Sequence, residues 1–470
     1  MPDIPTPDRS GVSPAKPSSG SALTASELAD RMIHRRAVEA VVWGMPAVNY
    51  DLMLQALIRD VKGGPNQIVY WSGLPDWKNQ TLTPNPDAIY VLPFFDTRAG
   101  PMVLEIPPAQ GGSITGSVDD CWQTALEDVG TAGLDKGQGG KYLITPPGYA
   151  EKIPDGYIPM PSDNYQGFAI LRSILTSGSD ADVARAVAYA RRIRLYPLSK
   201  SANPPLQTFL DAIDVVFDAT IPYDLRFFQS LDRIVQAEPW LDRDRAMIDV
   251  LKSLGVEKGK PFKPDKKTQA ILVEAIAEAR AWLEGEYERV FTPPFFADTH
   301  WALPASQEVL AGLQSHFAKP ESYPVDGRGM TYSMAFFSPK HSGRGSYYLM
   351  AIRDRDGQPL HGSASYHLHV PAKVPASQYW SATAYDRATH ALIRDMAWPS
   401  RSSNTPGLQV NPDGSVDLWF GPKAPTGGAS NWTPTSAAGE FEILFRFYGP
   451  QPSLFDKSWT LPDIERRTVH

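Results

Sequence analysis

Thr83-Pro84-Asn85-Pro86-Asp87 runs directly into an aromatic-rich stretch, Ala88 to Phe95, with Tyr90 near its start. The two prolines stiffen the turn, and Asn and Asp side chains can bond their own backbone there. A carboxylate and an amide therefore arrive pre-positioned beside an apolar wall. A carboxyl group in such surroundings is disfavoured as an anion and can serve as a general acid or base. Asp120 has the same prospect, because on a strand it shares a face with Trp122 while Asp119 points the other way. Asp87 or Asp120 is then the base and Tyr90 the acid or oxyanion donor. Asn85, Lys141 and Arg172 would bind and orient a substrate, and Trp122 would wall it. Plain turn and strand-end roles for both aspartates compete with this on equal terms.

The C-terminal half offers a second set. Phe441, Ile443, Phe445 and Phe447 alternate with Glu442, Leu444, Arg446 and Tyr448, so the first four should face a core. Arg446, flanked by Leu444 and Tyr448, could grip a carboxylate ligand in bidentate fashion. A buried pair with Asp386, which shares a strand face with Trp380, competes with that role. His367-x-His369 would aim two imidazoles at one side of a strand and so toward one metal ion. No acidic ligand follows at short spacing, only Val370-Pro371-Ala372-Lys373, so no metal is expected.

Several signatures are excluded. Gly133 to Lys141 lacks the first glycine and the Ser/Thr of a phosphate loop, and Tyr142 stands where a dinucleotide loop needs its third glycine. Neither G-x-S-x-G nor H-E-x-x-H occurs. Cys121 is the single cysteine, so no intrachain disulfide or multi-cysteine zinc site can form.

The elements that must position these residues divide the chain by texture. Residues 1–23 are rich in Pro, Ser and Gly and read as a disordered lead. Thr24 to Glu27 matches a capping box, so a helix should follow through Val42, break at Gly44-Met45-Pro46 and give way to a second helix through Ile58. Residues 24–200 form a β-rich domain with flanking helices: short apolar runs between Gly, Pro and Asp turns, then a helix over Ala181 to Arg194. Residues 201–325 read as a helical connector. Leu206, Phe209, Leu210, Ile213, Phe217 and Ile221 fall at helical spacing, as do Leu272, Ala275, Ile276, Ala279 and Leu283. Residues 326–470 return to strand patterning and end in an arm, Phe455 to Arg467, whose Trp459 and Leu461 need burial. The fold class is α+β, with an N-terminal β-rich domain, a helical connector and a C-terminal antiparallel β-sandwich or jelly roll.

The formal charge of −7 gives no basic excess, so no nucleic-acid partner is expected. No run of about 18 apolar residues occurs, so no membrane span is expected either. A cytoplasmic location is the default; a periplasmic or secreted one fits if a leader has been removed.

TPNPDAIY, DDCWQTALEDVGTAGLDKGQGGKYLI and RIRLYPLS resemble the first half of a bacterial two-domain family of unknown function, whose catalogue domains are numbered twelve-fifty-four and twelve-fourteen. YWSATAYD, NPDGSVDLWFGPKAP, SNWTPT, FRFYGP and KSWTLPDIE resemble its second half. The resemblance implies a β-rich first domain, a helical connector and a jelly-roll-like second domain, and implies no particular chemistry.

The leading expectation is a cofactor-independent acid–base enzyme, hydrolase or lyase in type. Its substrate would be a small or medium organic or saccharide-like molecule in an aromatic-lined cleft of the first domain or between domains. A glycan-binding jelly roll using Trp380, Trp419, Trp432 and Tyr448 is the alternative, and an assembly role the third. A homo-oligomer is expected in each case.

Overall fold

The computed structural model describes residues 23–334, 339–341 and 345–467. Apart from Leu23, the lead expected over 1–23 lies outside the described residues. The protein is α+β, with two strand-rich units and a layer of helices between them.

In the N-terminal unit, short apolar strands build two facing sheets. The six-stranded sheet runs Phe209–Asp211, Gln67–Tyr70, Ile89–Asp96, Gln166–Ser173, Ile114–Asp120 and Ala125–Gly130 in spatial order. Its pairings are antiparallel except at the Phe209–Asp211 edge. The four-stranded sheet is Arg194–Pro197, Met102–Ile106, Gly140–Thr145 and Ile158–Pro161. Alternate side chains such as Val91, Leu171, Leu104 and Ile144 close the space between them. The C-terminal unit repeats this plan. Ser346–Ala351, Phe441–Pro450, Ala376–Asp386 and Ser400–Ser402 form one sheet, and Trp432–Pro434, Val416–Gly421, Ser365–Val370 and Glu465–Arg467 the other. Phe441, Ile443, Phe445 and Phe447 fill the sandwich as their alternation requires, and the tail seals it with Trp459 and Leu461.

The largest core lies between the units. There the helices Ala25–Arg59, Arg226–Ala237, Lys266–Arg289 and Val325–Ser333 pack on one face of the six-stranded sheet (Tyr90, Leu92, Phe94) and on the C-terminal sheet (Met350, Tyr385, Leu444). No helix among the described residues is long and apolar enough to cross a membrane.

Three local expectations are corrected. Gly44-Met45-Pro46 does not break the first helix, which continues unbroken from Ala25 to Arg59 with Pro46 inside. Every residue from Ala40 to Leu54 is buried, so packing on all sides overrides the roughly 3 kcal/mol penalty of an internal proline. The carbonyl of Val42, deprived of its donor by Pro46, faces Gly329 so closely that a Cβ there would stand 2.5 Å away. The stripe Leu206 to Ile221 is not a helix: Phe209–Asp211 and Phe217–Asp218 are extended edge strands, and Leu206 is 97% exposed. Phe209 to Asp211 pair in parallel with Ile68 to Tyr70, and Phe217 to Asp218 with Asn79 to Gln80, so sheet-edge pairing overrides the helical spacing. Finally, the helix expected to Arg194 stops at Ala190, and Arg194–Pro197 is a strand beside Met102–Ile106.

Candidate functional site

On the strand Phe441–Pro450, the residues that alternate with the core phenylalanines do not meet solvent; they look across to the first unit. Register places Arg446 between Tyr348 and Ser381, and Tyr448 between Ser346 and Tyr379. A carpet of tyrosines therefore surrounds one buried guanidinium. Opposite it, on the six-stranded sheet, Arg172 lies between Tyr90 and Thr115 in register, and its Nε donates to the Tyr90 hydroxyl at 3.3 Å.

The turn Thr83–Asp87 stitches the two faces together. Asn85 is 1% exposed and donates through Nδ2 to the hydroxyls of Tyr379 (2.8 Å) and Tyr448 (2.7 Å). Its Oδ1 accepts from the Asp87 backbone N–H at 3.0 Å, which fixes which end of the amide faces the tyrosines. Its own N–H donates to Tyr90 at 2.8 Å. Tyr379 and Tyr448 stack with centroids 4.3 Å apart. Arg446 donates to Thr83 O at 2.8 Å, to Thr383 Oγ1 at 3.0 Å and to the Tyr385 hydroxyl, which in turn donates to Pro84 O.

Tyr348 sits at the focus. Burial would raise its phenol, but the guanidinium charges of Arg172 and Arg446, with hydrogen bonds from Ser346 (2.8 Å) and Tyr448, outweigh burial and hold it below the ordinary tyrosine range. Tyr448 moves the opposite way, raised chiefly by burial and by its neighbour Tyr348. These groups line a cavity of about 170 Å³ between the units. Leu303, Leu310, Leu313, Met334, Met350 and Leu444 supply its aliphatic lining. At the rim, the Ser117 hydroxyl donates to Asp128 at 2.7 Å, and His341 Nε2 lies 3.0 Å from Glu127 Oε1.

Of the residues singled out from sequence, Asn85, Tyr90, Arg172, Arg446 and Tyr448 are brought together at this wall. The two aspartates are not, and they share no partner. Asp120 closes a buried turn by accepting from the backbone N–H groups of Trp122 and Thr124, both at 2.9 Å. Asp87 accepts from Ser400 Oγ at 2.6 Å and faces a different cavity. Burial raises both carboxyls. Trp122 packs on Trp43 in the helical core, and Lys141 is exposed on the far sheet opposite Glu105. Trp380 is buried in the C-terminal sandwich against Phe445. Asp386 does not pair with Arg446: it lies on the other strand face and accepts from the N–H groups of Ala388 and Thr389 in a turn.

His367 and His369 both reach one oxygen of Asp417, at 2.8 and 2.9 Å. Burial opposes ionisation of Asp417, but His369, Asn411 and His367 bring it down to about 2. Among the described residues no group of three or more His, Cys, Asp or Glu is arranged to hold a metal ion. Trp419 and Trp432 lie side by side on the outer sheet, away from Trp380, so the four aromatics of the glycan alternative do not share one floor.

Sequence reasoning missed Tyr348, Tyr379, Tyr385 and Thr83. The alternation of Ser346, Tyr348 and Met350 was legible, but only strand register shows that this face meets Arg446.

Residues 65–197 match a domain family described as a protein of unknown function (DUF1254), and residues 345–452 match a second one (DUF1214). The chain thus carries both domains in that order. No curated protein matches it. Among solved structures, the VPA0106 protein from Vibrio parahaemolyticus is similar in fold, with a TM-score of 0.58 and 17% identity over 93% of this chain and 100% of that one. An uncharacterized protein from Burkholderia cenocepacia aligns over 93% of this chain and 94% of its own, with a TM-score of 0.42 and 12% identity.

Proposed function

In a chain that joins these two domains of unknown function, we propose that the seam between the units binds a small organic acid and carries out proton transfer on it. Arg446 and Arg172 would hold the carboxylate, and Tyr348 would act as the acid–base group. The observation that carries this is the Tyr348 phenol lining the cavity in register with Arg446, whose guanidinium lies 5.6 Å from its ring centroid, with the charge of Arg172 also acting on it and hydrogen bonds from Ser346 and Tyr448. A phenol favoured toward its anion can take a proton from the carbon next to a carboxylate. The same guanidinium groups then stabilise the negative charge that spreads onto the carboxylate oxygens.

The volume limits the substrate. A dry cavity of roughly 150 Å³ accepts benzene, so about 170 Å³ suits an acid near benzoate in size. Proton abstraction of this kind is lyase-type chemistry. At the rim the Ser117 hydroxyl donates to Asp128 and His341 is turned to Glu127, so these two residues do not pair as nucleophile and base.

Deuterium exchange tests this without knowledge of the product. Small carboxylic acids with a hydrogen next to the carboxylate are incubated with the protein in heavy water and followed by NMR. Tyr348→Phe should slow the exchange by about 10²–10⁴-fold while leaving acid-induced thermal stabilisation intact. Exchange that survives in Tyr348→Phe, or binding that survives in Arg446→Gln, would refute the assignment.

A further inference from the structure

Behind the Thr83–Asp87 turn lies a second cavity, of about 440 Å³, which the chemistry at Tyr348 does not use. That volume falls within the range of roughly 300–1,000 Å³ usual for ligand pockets. Asp87 and Arg401 line it, with Trp77, Trp398 and Pro406 around them. Arg401 is 5% exposed, donates to Ser400 O at 2.9 Å, and has its Nε buried with no hydrogen-bond partner among the described residues. Leaving such a donor unmet is costly in a folded protein, so it points to a missing acceptor.

Trp398 is the second anomaly. Its side chain is 67% exposed and its backbone sits at φ +60°, directly before Pro399. The left-handed region is unfavourable for a bulky side chain, and a following proline narrows the choice further. A conformation maintained against both local preference and burial presents the indole at the cavity, with the Arg401 guanidinium 5.8 Å from its ring centroid.

We infer that this cavity is a binding site for a neutral polyhydroxylated ring of the pyranose type. Asp76, Asp87 and Asp395 line the cavity against the single guanidinium of Arg401, so an anionic ligand is repelled, while adjacent hydroxyls can donate to the acids and accept from the arginine. One hydroxyl donates to Asp87 and another accepts from the Arg401 guanidinium, which lines the cavity. The apolar C–H face of such a ring packs on the indole, which combines a large apolar surface with a polar edge.

Isothermal titration with glucose, galactose and N-acetylglucosamine at millimolar concentration tests the site on the full chain, with glucuronate as the anionic counterpart. Methyl glucoside beside glucose separates a glycosidic terminus from a free reducing sugar. At least one neutral sugar should bind saturably and quench tryptophan fluorescence, and glucuronate should bind more weakly. Trp398→Ala should weaken binding about tenfold. Trp398→Gly should weaken it equally while raising the thermal midpoint, since glycine accepts a positive φ without strain. Arg401→Gln should also weaken binding, and Tyr348→Phe should leave it unchanged. The site is overturned if no neutral sugar binds, if glucuronate binds tighter than glucose, or if Trp398→Gly leaves binding intact. Loss of sugar binding in Tyr348→Phe would place the sugar in the other cavity and overturn it as well.

Discussion

Asn85→Ala is the sharpest test of how the two units are joined. The side chain makes three hydrogen bonds, to Tyr379, to Tyr448 and from the Asp87 N–H, all at 2.7–3.0 Å. It is buried at the junction, so water cannot readily replace the amide. At a net value near 1 kcal/mol per bond, the substitution should cost about 3 kcal/mol, which is a large part of an ordinary domain's stability. Urea unfolding followed by tryptophan fluorescence reads this as an earlier first transition. A cycle with Tyr448→Phe isolates the contact: the pair should couple by about 1 kcal/mol, because each single change removes the same bond. Deuterium exchange should fall in Asn85→Ala beyond what lost stability explains, since Tyr448 is no longer held toward Tyr348. A cost under about 1 kcal/mol, or strict additivity with Tyr448→Phe, would show that the amide does not organise the tyrosines and would refute the relay from Asn85 to Tyr348.

The charge environment of Tyr348 is tested by comparing Arg446→Gln with Arg446→Lys. Ultraviolet titration, as the difference between each protein and its Tyr348→Phe partner, should show tyrosinate forming at higher pH in the Gln variant and near the parent pH in the Lys variant. Because the folded phenol titrates below its unfolded counterpart, its ionisation adds stability that is fully present above the unfolded value and is lost as pH falls through the folded one. The alkaline stability of Arg446→Gln should therefore drop more than its neutral stability. Glu442→Leu probes a second buried network at the seam: Glu442 is fully buried, accepts from Tyr287 at 3.1 Å and pairs with His390 at 2.7 Å. Removing it strands His390, leaves Arg387 only its ion pair with Glu284 at 2.7 Å, and should cost about 3 kcal/mol by chemical denaturation.

Much of the architecture could be read from period and punctuation. The capping box at Thr24 and the clean alternation from Phe441 to Tyr448 each express a local rule that the tertiary structure also obeys. Failures occurred where packing overruled local preference. Pro46 survives mid-helix because its neighbours are enclosed on every side. The Leu206–Ile221 stripe mimicked a helix by spacing alone, while its real role is to edge a sheet. The site was half legible for a related reason. Residue types at Asn85, Tyr90, Arg172, Arg446 and Tyr448 signalled chemistry, but their convergence depends on register between strands hundreds of residues apart. Asp120 was attractive because adjacency to Trp122 suggests a shared face, yet a turn begins at Cys121 and redirects the carboxylate to backbone N–H groups.

Neither unit surrounds its cation alone, whether the buried Arg446 or the half-buried Arg172. Arg446 belongs to the C-terminal sheet, but two of its acceptors, Thr83 O and Pro84 O, come from the N-terminal turn. Arg172 belongs to the N-terminal sheet, yet the charges that hold it protonated include Tyr348 and Tyr448 of the other unit. Sequestering a guanidinium costs several kcal/mol unless oxygens surround it, so the two units are bound to each other by the requirement to solvate each other's arginine. Tyrosine hydroxyls meet that requirement only in part, because they supply partial charge where a carboxylate would supply a full one. The anion proposed to enter the cavity would complete the neutralisation, and its binding free energy would then appear as cohesion of the seam. On the proposed function, ligand binding and interdomain stability are thus linked through the same two side chains, and the proposed acid–base wall coincides with the domain interface.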